Sequence, residues 1–126
     1  MGQYVFGPVS ATGVVEFAAW TRTLIEELRR LMADGEIRAI PHFEDMLVTY
    51  KKILTAIDGA ARSAPGPRIT RIDIPMSANE FRHLDGVGRS IETYVGVIAT
   101  RGVVDMNMAP DVAEAFEALA GGKFSD

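Results

Sequence analysis

Apolar side chains recur at steps of three and four along much of this chain, most regularly between Met76 and Gly102. There Phe81, Leu84, Val87, Gly88, Ile91, Tyr94, Val95 and Ile98 fall on one side of a helix, and Arg82, Asp85, Arg89, Glu92, Thr93 and Thr100 on the other. Thr93 to Thr100 is also rich in β-formers, but as a strand both its faces would mix apolar with polar residues, so periodicity favours the helix. Ser77-Ala78-Asn79-Glu80 supplies the start, a capping box flanked by Met76 and Phe81 in hydrophobic-staple positions. Gly86, Gly88 and Gly96 each cost this helix about 1 kcal/mol relative to alanine. Gly88 lies in the apolar stripe, and the expected compensation is close approach of a second helix.

The same reading predicts a first helix over Gly13 to Ala33, capped by Thr12. Its core stripe is Val14, Phe17, Ala18, Thr21, Leu24, Ile25, Leu28, Leu31 and Met32, with Glu26 paired to Arg30 outside. A second helix is expected to begin with Pro41 at its first position and to run to about Arg62, with acids in its first turn and the seam Phe43, Leu47, Tyr50, Leu54, Ile57, Ala61. Ser63 to Pro67 reads as a loop within one domain. Ile72, Ile74 and Met76 alternate with Arg71 and Asp73, so 69 to 75 is a strand needing a partner. Tyr4 to Phe6, Val103 to Met108 or the same segment of a second copy are the candidates. Pro110 opens a short fourth helix with Val112, Ala115, Phe116 and Leu119 on its apolar face, and Lys123 to Asp126 is expected to fray. The fold class expected is therefore mainly α: one domain over residues 1–126, an antiparallel bundle of three long helices and a short fourth, with one to three peripheral strands.

Length changes the picture little: 126 residues suffice to bury roughly two-thirds of the unfolded surface. The absence of cysteine removes disulfides, thiolate metal sites and cysteine nucleophiles, and fits a cytoplasmic setting. Seventeen acidic residues against 13 Lys plus Arg, a net charge of -4, tell against nucleic acid as a partner. No stretch reads as a secretory signal, a myristoylation site or a membrane span.

Candidate chemistry is sparse. Glu80 and His83 have the Glu-x-x-His spacing of di-iron bundles, but His42 lacks a matching glutamate and Glu80 already serves the cap. His42, Glu44 and Asp45 occupy neighbouring positions and point around a helix rather than at one point. Gly86-Val87-Gly88 beside Arg89 and Ser90 lies inside a helical pattern, where a phosphate loop does not belong. No nucleophilic serine motif occurs, so no catalytic residue, metal or cofactor is assigned.

Arg62, Arg68 and Arg71 form the best candidate for holding an anion or an acidic partner. Ile72, Ile74, Gly88, Ile91, Tyr94, Val95 and Ile98 are the candidate interface, in a homodimer or with another protein. The expected function is a non-enzymatic interaction module, an adaptor, assembly or inhibitor type of protein. The rival is a ligand or enzyme pocket between helices, lined by Trp20, Tyr50, Tyr94 and Phe116, with His83 or an arginine for polarity.

Overall fold

The capping box at Ser77 forms as read. Ser77 Oγ accepts from the Glu80 amide at 3.1 Å, and Glu80 Oε1 accepts from the Ser77 amide at 3.0 Å. In this computed structural model, which describes residues 2–126, the helix so started is continuous from Ala78 to Arg101, the β-forming stretch included. The chain order is β1 (Gly2–Phe6), β2 (Val9–Ser10), α1 (Ala11–Ala33), α2 (Phe43–Arg62), β3 (Arg68–Ile69), β4 (Ile72–Met76), α3 (Ala78–Arg101), α4 (Pro110–Ala120) and β5 (Lys123–Ser125). The fold is mainly α, with three long helices and a short fourth, as their periodicity requires.

Helix α1 is the centre of the bundle, packed against α2 on one side and α4 on another, while α2 packs against α3. Leu24, Ile25, Leu28 and Leu31 of α1 are fully enclosed. Burial of an aliphatic side chain of that size contributes about 1.5–3 kcal/mol. Helices α3 and α4 scarcely touch each other.

The strands add a small cap to this bundle. β1 lies between β4 and β5, antiparallel to both, with Tyr4 opposite Ile74 on one side and Phe124 on the other. Gly2, Tyr4 and Phe6 alternate inward from β1, as Ile72, Ile74 and Met76 do from β4, so one face of the sheet closes the core. β2 and β3 form a separate pair, with Val9 opposite Ile69. The expected 69 to 75 strand is thus divided: Ile69 belongs to β3 and pairs with β2, Ile72 to Met76 form β4 and pair with β1, and Val103 to Met108 forms no strand.

Several boundaries differ from expectation. Ser10, not Thr12, caps α1 by accepting from the Gly13 amide, so the helix begins at Ala11. α2 begins at Phe43, after Pro41 and a left-handed His42 (φ 58). Residues Lys123 to Ser125 do not fray, because the free edge of β1 pairs with them. Phe124 stacks on Phe81, ring centroids 4.8 Å apart, which anchors β5 to α3. Glu26 pairs with Arg29 at 3.3 Å rather than with Arg30. Arg30 reaches Glu27 at 3.3 Å instead.

Glu27 is the one acidic residue enclosed in the core among the described residues, 2 % exposed. Arg101, in the last turn of α3, brings Nε within 2.7 Å of Glu27 Oε1 and also pairs with Glu36. The Glu27 contact is close but poorly aligned for a directed hydrogen bond, so charge rather than hydrogen-bond geometry holds it. This clasp ties the end of α3 to the middle of α1.

Candidate functional site

The separation of α3 from α4 leaves a groove between them, about 720 Å³ in volume, with α1 as its floor. Phe17, Trp20, Thr21 and Leu24 lie on the α1 face beneath it, at the i, i+3, i+4, i+7 spacing of one helix stripe. Tyr4 from β1 and Tyr50 from α2 close its inner end. Leu84, Gly88, Ile91 and Val95 form the α3 wall, Phe116 and Leu119 the α4 wall, and Met106 and Met108 of the connecting segment cover one end. The Trp20 indole N–H donates to the Asp105 carbonyl at 2.9 Å, which fixes that segment against α1. Phe17 and Phe116 meet edge to face, centroids 6.3 Å apart, and join the floor to the α4 wall.

Gly88 lies on the α3 wall of the groove. A Cβ built there meets no atom within 4 Å, so no neighbour occupies the space beside it. The expected close approach of a second helix occurs instead at Gly86, where a Cβ would come within 2.6 Å of Met46 Sδ on α2. Gly88 therefore borders unfilled space, while Gly86 lets α2 approach.

Polar groups at the site are few. Tyr4 Oη donates to the Leu119 carbonyl, which also accepts from the Gly122 amide at 3.2 Å at the end of α4. Burial, with the Asp85 charge adding to it, raises the Tyr4 phenol pKa, and burial likewise raises that of Tyr50, so both stay protonated at neutral pH. The Thr21 hydroxyl is buried and finds no hydrogen-bond partner among the described residues. At the mouth, Asp85 and Arg89 neutralise each other at 2.9 Å and Glu92 adds a negative charge.

The residues singled out in the sequence divide. Trp20, Tyr50 and Phe116 do line the groove. Tyr94 instead borders a shallow depression with Arg38, Ile40 and Pro41. His83 hydrogen-bonds Thr49 Oγ1 through Nδ1 at 2.8 Å, bridging α3 to α2 outside the groove. Glu80 is held in the cap and by Lys52 at 3.5 Å, and its pKa is lowered chiefly by the Ser77 amide.

Of the candidate interface, Ile72, Ile74, Ile91 and Ile98 are enclosed by this chain's own core, because the strand and stripe that carry them face the bundle. Only Gly88 and Val95 are exposed, with Tyr94 partly so. The three arginines proposed for an anion or an acidic partner each meet a carboxylate of this chain. Arg62 pairs with Asp58, Arg71 with Asp73, and Arg68 makes two bonds to Glu114 at 2.8 and 3.1 Å, tying β3 to α4. Each cation thus has its own carboxylate partner, in pairs that remain exposed.

Phe17, Tyr4, Met106 and Met108 were not foreseen as part of a site, since three of them come from the strand and the irregular segment. Thr21 carried a signal, a polar residue within an otherwise apolar stripe. Among the described residues no helix is long and apolar enough to cross a membrane, and no three His, Asp or Glu side chains gather as metal ligands. No protein-family model matches this chain, and comparison with curated proteins and with solved structures finds no similar protein.

Proposed function

We propose that this protein is a binding protein whose α3–α4 groove holds a small, mainly apolar molecule. The observation that carries this reading is the groove itself. Its volume of about 720 Å³ lies within the range of small-molecule sites, and aromatic, aliphatic and thioether side chains surround a few hydroxyl groups.

The test uses the chain's single tryptophan, which stands in the groove floor. N-phenyl-1-naphthylamine, a neutral apolar fluorophore, should bind saturably, quench Trp20 and gain emission by energy transfer. Gly88→Phe, which places a ring in open space, should abolish the signal with the far-UV circular dichroism unchanged. Binding that survives Gly88→Phe would refute the reading.

A second reading, a protein partner, draws on Val95, Met108 and Phe116 at the groove's edge, each more than a third exposed. A partner's apolar side chain would then enter the groove. Self-association seen by light scattering, lost in Phe116→Ser, would favour that reading over the small molecule.

A further inference from the structure

The charges that border the groove all come from one wall. Asp85, Arg89 and Glu92 are its charged lining residues, all on α3, and among the described residues no charged side chain of another element joins them. Asp85, Gly88, Glu92 and Val95 follow one another at steps of three, four and three, which makes them a single stripe along the groove side of α3.

These charges are not equivalent. Arg89 Nε lies 2.9 Å from Asp85 Oδ2, so that pair cancels. Glu92 is exposed and enters no ion pair among the described residues. A helical side chain leans over the turn N-terminal to it, which for Glu92 is the turn of Gly88, where the space is unfilled. One uncancelled carboxylate therefore stands beside the open stretch of the groove.

The rest of the lining suits a cation and not an anion. Six of the chain's ten aromatic side chains border the groove, Tyr4, Phe17, Trp20, Tyr50, Phe81 and Phe116, and aromatic ring faces attract positive charge. Tyr4 and Trp20 already donate their polar hydrogens to the Leu119 and Asp105 carbonyls. The net charge of -4 draws cations towards the chain as a whole.

We propose that the groove's ligand is a monocation with a mainly apolar body, a lipophilic amine or quaternary ammonium, whose body lies among the aromatic side chains and whose charge rests against Glu92. This rests on the small-molecule reading of the groove and adds the charge that the ligand carries.

Three probes with one naphthalene body separate the inference from that reading: cationic 2-naphthyltrimethylammonium, its neutral isostere 2-tert-butylnaphthalene, and anionic 2-naphthoate. Equilibrium dialysis against the full chain at low salt should show saturable binding of the first two and much weaker binding of naphthoate. Glu92→Gln should weaken the cation about threefold, the size of effect expected of one exposed ion pair, leave the neutral probe unchanged and strengthen naphthoate. A structural disturbance would instead move all three probes in one direction. Glu117→Gln, the same change of net charge on α4 outside the lining, should move none of them. Raising the salt to about 0.5 M should erase the effect of Glu92→Gln on the cation. If the neutral probe binds and the cation does not, or if Glu92→Gln shifts all probes alike or no more than Glu117→Gln does, the charge contact is overturned while the groove stands. If no probe binds, or Gly88→Phe leaves the affinities unchanged, the groove reading and this inference both fail.

Discussion

Replacing Gly88 by alanine should stabilise this protein, a result that would not be expected of a glycine kept for close packing. Alanine is about 1 kcal/mol better than glycine in a helix interior. The added Cβ meets nothing within 4 Å, so no steric term subtracts from that gain. Unfolding entropy of about 2.1 cal/mol/K per residue gives roughly 0.26 kcal/mol/K for a chain of this length, so the melting temperature should rise by about 4 °C. Gly96→Ala is the internal control, because its Cβ is equally unobstructed and it lies outside the groove. Gly86→Ala should gain much less, since Met46 must swing aside. Differential scanning calorimetry on the three variants measures all of this. A lower melting temperature for Gly88→Ala, with Gly96→Ala raised as expected, would mean that some body already packs against that face in solution. A helix of a second copy would do so, and the open groove would then be wrong.

Ser77→Ala should cost about 1 kcal/mol by removing the capping bond to the Glu80 amide, read as a lowered urea midpoint with an unchanged m value. Arg101→Ala should cost more than Ser77→Ala does, because Glu27 stays enclosed with only Arg30 beside it, and adding Glu27→Leu should recover much of the loss. Tyr4→Phe should cost about 1 kcal/mol by leaving the Leu119 carbonyl without its phenol donor. The Glu80 carboxylate has a lower pKa folded than unfolded, held down first by the Ser77 amide and then by Lys52. Its stabilisation is therefore fully present above the ordinary glutamate value of about 4.3 and is lost as pH falls through the folded value. Urea titrations from pH 6 to pH 3 should show Glu80→Gln with a shallower decline than the parent.

Much of the architecture was legible because it follows local rules. The Ser77 capping box, Arg62 at the last turn of α2 and Pro110 at the start of α4 are each set by neighbours within four residues. The parts misread depend on distant partners. Lys123 to Ser125 carries no strong strand signal and becomes a strand because β1 offers an open edge. Thr12 and Ser10 compete for one cap, and the pairing of Ser10 with Arg68 settles it for Ser10.

The groove was half legible. Trp20, Tyr50 and Phe116 lie on helix faces whose direction follows from periodicity, whereas Tyr4, Met106 and Met108 reach it from segments without a helical period. Tyr94 shares the α3 stripe with Ile91 and Ile98, but at the stripe's edge a half-turn decides which neighbour a side chain meets. For the arginines, the sequence showed positive charge but not that Glu114, 46 residues from Arg68, would neutralise it.

The central place of β1 bears on how quickly the molecule can assemble. Tyr4 pairs with Ile74, 70 positions along, and with Phe124, 120 positions along, while the α2–α3 contact needs only the loop and strand between them. Closing such large loops delays any contact that depends on them. Helical signal in a stopped-flow refolding trace should therefore precede the docking of Tyr4 against α4, and the slower event should set the overall rate.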